Sequence, residues 1–108
     1  MGREESMMVG FTIVAIAGDA KTSVIKAIES AKIGKFDDAE NYLKEANEHI
    51  AEAHREQTSI LQKEAQGESE ELSFIMMHGQ DSLMTTMILR DTAKYIIDLY
   101  KEINELKK

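Results

Sequence analysis

Leu-Arg-Asp-Thr-Ala-Lys-Tyr-Ile-Ile-Asp-Leu-Tyr-Lys-Glu-Ile-Asn-Glu-Leu, residues 89–106, decides the fold. Leu89, Thr92, Ile96, Leu99, Ile103 and Leu106 recur at alternating intervals of three and four, the repeat of a helix that offers one apolar seam to a partner. Run backward, the same spacing reaches Thr85, Ser82 and His78. It predicts a helix from about Ser69 or Glu71 to near the chain end, disturbed at Gly79, where the missing Cβ weakens helical preference.

Two further helices are predicted upstream. Between Glu4 and Ile33, Val9, Ile13, Ile16, Ala20, Val24, Ala27 and Ala31 form a slim amphipathic stripe. Gly10 and Gly18 lower its continuity, and Gly18-Asp19 is a candidate kink. Gly34, between Lys32 and Lys35, reads as a left-handed terminator with cations near the last carbonyls. Asp37 and Asp38 then place carboxylates at the start of a second helix. Its stripe combines Leu43, Ile50 and Leu61 with Asn47, His54 and Gln57, and Gly67 is the next breaker. Helices of about 30 residues are about 45 Å long. The expected architecture is all-α, an up-down-up antiparallel three-helix bundle forming one domain over residues 1–108. So slender a bundle carrying an apolar seam is expected to self-associate.

Composition narrows the chemistry. The net charge of −7 argues against nucleic acid and anionic lipid as partners and favours a basic or otherwise complementary protein. With no cysteine, disulfides, thiolate zinc sites and thiol nucleophiles are excluded, which fits a reducing cytoplasm. The apolar run Met7–Ala17 is short for a bilayer and is followed by Gly18, Asp19 and Lys21, so membrane insertion and a secretion signal are not expected.

The three histidines differ in their surroundings. His49 lies in a charged stretch and is assigned no role, and His54 shares a stripe with Gln57, which suits a structural hydrogen bond. His78 stands apart, with Gly79 permitting close approach and Gln80, Ser82, Thr85 and Thr86 offering polar groups. Such an imidazole can handle an anion or a proton. Standard alternatives fail on spacing. Ala46, Ala51 and Ile75 stand where a di-iron bundle needs glutamates, three residues before each histidine. No zinc-protease pair, phosphate-cradling loop or nucleophile elbow is present. Asp81 falls on a helical line with Met77, Met84 and Ile88. One carboxylate cannot hold a divalent ion. If three copies met about that face, their carboxylates would repel and demand a cation, and oxygen ligands suit magnesium or another hard divalent ion.

The run Met76-Met77-His78-Gly79-Gln80-Asp81, with Leu83-Met84-Thr85-Thr86, closely resembles the active-site segment of the lactose/cellobiose-type enzyme IIA of the sugar phosphotransferase system. Val9-Gly10-Phe11, Ala17-Gly18-Asp19-Ala20, Ile50-Ala51-Glu52-Ala53-His54, Gln57-Thr58 and Glu64-Ala65-Gln66-Gly67 are also similar to that family. The resemblance implies a cytoplasmic homotrimer whose His78 accepts a phosphoryl group from phospho-HPr and passes it to a cysteine of the cognate IIB component. IIB in turn serves the membrane IIC component during disaccharide uptake. It implies that Asp81 from each subunit binds a metal ion on the trimer axis. Gln80 and Ser82 are candidates to hydrogen-bond the phosphoryl oxygens. One departure is that members commonly carry a second histidine where this chain has Ser82. The rival expectation is a non-catalytic helical adaptor that binds partners through its seam.

Overall fold

The computed structural model describes residues 2–68 and 71–108. Three helices follow one another, α1 (Arg3–Lys32), α2 (Phe36–Ala65) and α3 (Phe74–Leu106), with no strand among the described residues. They pack into a rod of 59 × 21 × 18 Å.

Glycine ends the first two helices in the same way. Gly34 (φ +81°) and Gly67 (φ +86°) occupy the left-handed region, which costs a side-chain-bearing residue steric strain. In the first turn Gly34 N donates to Ala31 O at 3.0 Å and Lys35 N to Ser30 O at 2.9 Å. In the second, Gly67 N donates to Glu64 O at 3.0 Å and Glu68 N to Lys63 O at 3.1 Å. Both are Schellman closures, which satisfy carbonyls the helix leaves open. Asp37 and Asp38 fall in the first turn of α2, where their charge complements free amides.

The structure corrects three local expectations. α1 runs unbroken through Gly18 as one helix. α3 begins at Phe74 with Ser73 as its cap, later than Glu71, while Ser69 lies outside the described residues. α3 also passes Gly79 without a break, because that glycine is buried where α1 crosses.

α1 lies between the other two helices and packs along both, whereas α2 and α3 touch far less. One core cluster joins Val24, Ala27 and Ala31 to Ala39, Leu43 and Ala46 and to Ala93 and Ile97. The other joins Ile13 and Ala20 to Ile50, Ala53 and Leu83. By length and hydropathy α1 could cross a bilayer, its best window having a mean hydropathy of 1.4. In this bundle 33% of that window is buried against the two neighbours, while Met8 and Phe11 stay exposed. The α2–α3 seam is instead spanned by polar rungs: Gln57 to Gln80 at 2.6 Å, Arg90 to Asn47 at 2.8 Å and Lys101 to Glu40 at 3.2 Å.

The buried lines also differ from those read on long aliphatic residues. α2 buries Ala39, Leu43, Ala46, Ile50 and Ala53, leaving Asn47, His54 and Leu61 exposed. α3 buries Met76, Gly79, Leu83, Thr86, Ala93 and Ile97. Of its predicted seam, Leu89 and Ile96 are half-buried, and Leu99, Ile103 and Leu106 are exposed. The helices approach closely, so small side chains fill the interior and the larger ones are displaced to its margin.

Candidate functional site

His78 is solvent-exposed in the second turn of α3. Helix starts fray because their first amides lack internal partners, but this one is held. Met76 N donates to the Ser73 hydroxyl at 3.2 Å, and Met77 N to Ser73 O at 3.2 Å. The Ser73 and Ser6 hydroxyls meet at 3.2 Å, joining the cap to α1. One turn along α1, a Cβ on Gly10 would lie 2.7 Å from Met76 N and 2.8 Å from Ile75 C. A Cβ on Gly79 would lie 3.0 Å from Gly10 O. Helices thus meet backbone to backbone on the inner side of the turn whose outer side carries the imidazole.

Ser82 follows one helical turn after His78, half-buried against α1. It lines a cavity of about 180 Å³ with Ala17, Gly18, Lys21 and Thr86. The Thr85 hydroxyl donates back to Asp81 O at 2.9 Å and Ser82 O at 3.2 Å, so the backbone engages it. Gln80, two residues on from His78, is rotated by about 200° around the helix. Its Oε1 accepts from Gln57 Nε2 at 2.6 Å and its Nε2 faces Met76 Sδ at 3.6 Å. The structure therefore brings Gln80 to α2, while Ser82 remains on the imidazole's side.

Asp81 is exposed among exposed Met77, Met84 and Ile88, the grouping its helical position predicts. No cluster of three metal-binding side chains occurs among the described residues of one subunit. His54 is exposed, its Nδ1 3.5 Å from the Thr58 hydroxyl. Of the polar residues on that stripe, Gln57 and Asn47 reach α3 and His54 does not. Sequence reasoning missed Ser6 and Ser73. Both are buried, 1 % and 6 % exposed, and nothing in the sequence set them apart from solvent-facing serines.

An exposed imidazole on an anchored turn is a nucleophile that a second macromolecule can reach, with no deep pocket needed for a small substrate. Comparison with known proteins identifies the family. The profile of the family described as PTS system, Lactose/Cellobiose specific IIA subunit matches residues 8–101. The lactose-specific EIIA component of Streptococcus mutans is 50% identical over 101 residues, covering 94% of this chain and 97% of that protein. The corresponding Lacticaseibacillus casei protein is 48% identical over 105 residues, covering 97% of this chain and 94% of its own. Among solved structures, the cellobiose-specific enzyme IIA of Bacillus anthracis superimposes with a TM-score of 0.89 at 35% identity, covering 93% of this chain and 92% of that one. The chitobiose IIA, solved in complex with HPr from the N,N'-diacetylchitobiose branch of the Escherichia coli phosphotransferase system, gives a TM-score of 0.77 at 26% identity over 92% and 96% of the two chains. On sequence and fold together, this chain belongs to the lactose/cellobiose-specific enzyme IIA family of the phosphotransferase system.

Proposed function

We propose that this IIA component is a phosphocarrier whose acceptor is His78. A ring nitrogen of His78 attacks the phosphorus of phospho-HPr in line, forming a new P–N bond as the donor's P–N bond breaks. The donor imidazole leaves with the electron pair. In the second step a cysteine thiolate of IIB attacks that phosphorus, forming an S–P bond as the His78 P–N bond breaks and its electron pair returns to the ring nitrogen, leaving His78 neutral. The observation that carries this reading is the exposure of His78 on a capped turn packed against α1, within the family-matched region. Support for HPr as donor comes from the HPr complex of the related chitobiose protein. The cytoplasm, where HPr and IIB are met, is the fitting location. Names of relatives point to lactose-class disaccharides, whose recognition falls to the membrane IIC component.

Ser82 is assigned to hydrogen-bond the phosphoryl oxygens, since it shares the imidazole's side. Gln80 can assist only by exchanging its bond to Gln57 for one to phosphate. The active assembly is a homotrimer, supported by the exposed stripe of Met77, Met84, Ile88, Tyr95 and Leu99, which a lone subunit leaves in water. Asp81 sits on that stripe without an ion-pair partner among the described residues. Three Asp81 carboxylates, one from each subunit, fit a hard divalent cation such as magnesium, which would offset their repulsion.

The test is incubation with phosphoenolpyruvate, enzyme I and HPr, followed by mapping of the acid-labile phosphate. The label is expected on His78 and absent from a folded His78→Ala variant. Undiminished label in that variant would overturn the assignment, and no label on the wild type would favour a binding adaptor instead.

A further inference from the structure

We infer that Ser6 and Gly10 of α1 are positioning residues for the phosphoryl-transfer turn. This inference rests on His78 being the acceptor. A nucleophile in the second turn of a helix inherits whatever disorder the first turn has, and loss of alignment by about 1 Å costs transfer steeply. Ordinary capping would leave this turn attached to its own helix alone. Here the capping hydroxyl is itself gripped, because Ser6 meets Ser73 at 3.2 Å while Ser73 receives Met76 N at 3.2 Å.

The second grip is steric. Gly10 lets the α1 backbone press against Ile75 and Met76, and Gly79 lets the Gly10 carbonyl come in just beyond His78. The imidazole is thus bracketed along α3 by α1 contacts at residues 73, 76 and 79. All three lie on the inner side, so the outer side stays open to a docking protein. Ser6 has little reason to be polar otherwise. At 1 % exposure an aliphatic residue or alanine would fill its place without needing a partner.

The experiment compares Ser6→Ala and Gly10→Ala with Gly34→Ala, which strains the turn between α1 and α2. For each folded variant, the KM for phospho-HPr and the kcat of label transfer are measured, with amide exchange at residues 76–80. Positioning predicts that kcat falls about tenfold in Ser6→Ala and Gly10→Ala with KM unchanged, alongside faster exchange across the His78 turn. Gly34→Ala should lose thermal stability yet keep kcat. The inference is overturned if Ser6→Ala retains wild-type kcat after correction for its folded fraction, or if all variants lose kcat only in proportion to unfolding. Ser6→Ala decides the matter alone if Gly10→Ala does not fold. Wild-type label on a residue other than His78 would defeat the phosphocarrier assignment itself, whereas label on His78 with an unaffected Ser6→Ala defeats this inference only.

Discussion

Ser82 and Gln80 stand close in sequence but face different tasks. The Ser82 hydroxyl lies on the imidazole's side against α1, while the Gln80 amide is held by Gln57 and Met76. Ser82→Ala is therefore expected to slow phosphoryl transfer by about tenfold, a modest value for a donor in a partly solvated site. Gln80→Leu should chiefly lower stability, by about 1 kcal/mol, through the lost bond to Gln57. Single-turnover transfer rates and denaturant melts separate the two, and a larger rate loss in Gln80→Leu would reverse the roles. The grouping of Asp81 with Met77, Met84 and Ile88 was legible in the sequence because helical spacing fixes which side chains share a face. Ser6 and Ser73 were not, because a serine looks alike whether it meets water or another buried hydroxyl.

Helix termini were readable where chemistry is restrictive. Gly34 and Gly67 announced the ends of α1 and α2, since few residues other than glycine tolerate their positive φ. Gly34→Ala should cost about 1–2 kcal/mol in a thermal melt, and no change would show that the turn relaxes out of the left-handed region. The start of α3 was harder to place. Ser69 with Glu70 and Glu71 carries the acidic signature of a helix start, whereas Ser73 is followed by Phe74, Ile75 and Met76 and announces nothing by charge. Buried faces failed for a related reason. Alanines such as Ala39, Ala46 and Ala53 carry the tight interior of α2, while Leu61 marks its rim. Leu83 is the large side chain at the centre, fully buried, so Leu83→Ala should destabilise by about 2–5 kcal/mol.

At the scale of the whole molecule, the stripe around Asp81 leaves Met84 48 % and Ile88 65 % exposed in a lone subunit. Ile88→Lys is expected to shift sedimentation from trimer to monomer, and an unchanged sedimentation profile would remove this face from the interface. Asp81→Leu should abolish bound divalent metal while keeping the trimer, with elemental analysis as the check. Equal metal in variant and wild type would exclude the carboxylate as ligand. The arrangement of helices carries one more implication. α1 grips α3 across a sequence separation of 67 residues, from Ser6 to Ser73. A ribosome therefore completes the α1–α2 hairpin before the segment that covers Gly10 exists, and takes roughly 2–8 s to add the stretch from Ala65 to Leu106 at typical synthesis rates. During that interval the nascent chain presents a half-built apolar layer, which chaperones that grip exposed helices are placed to shield.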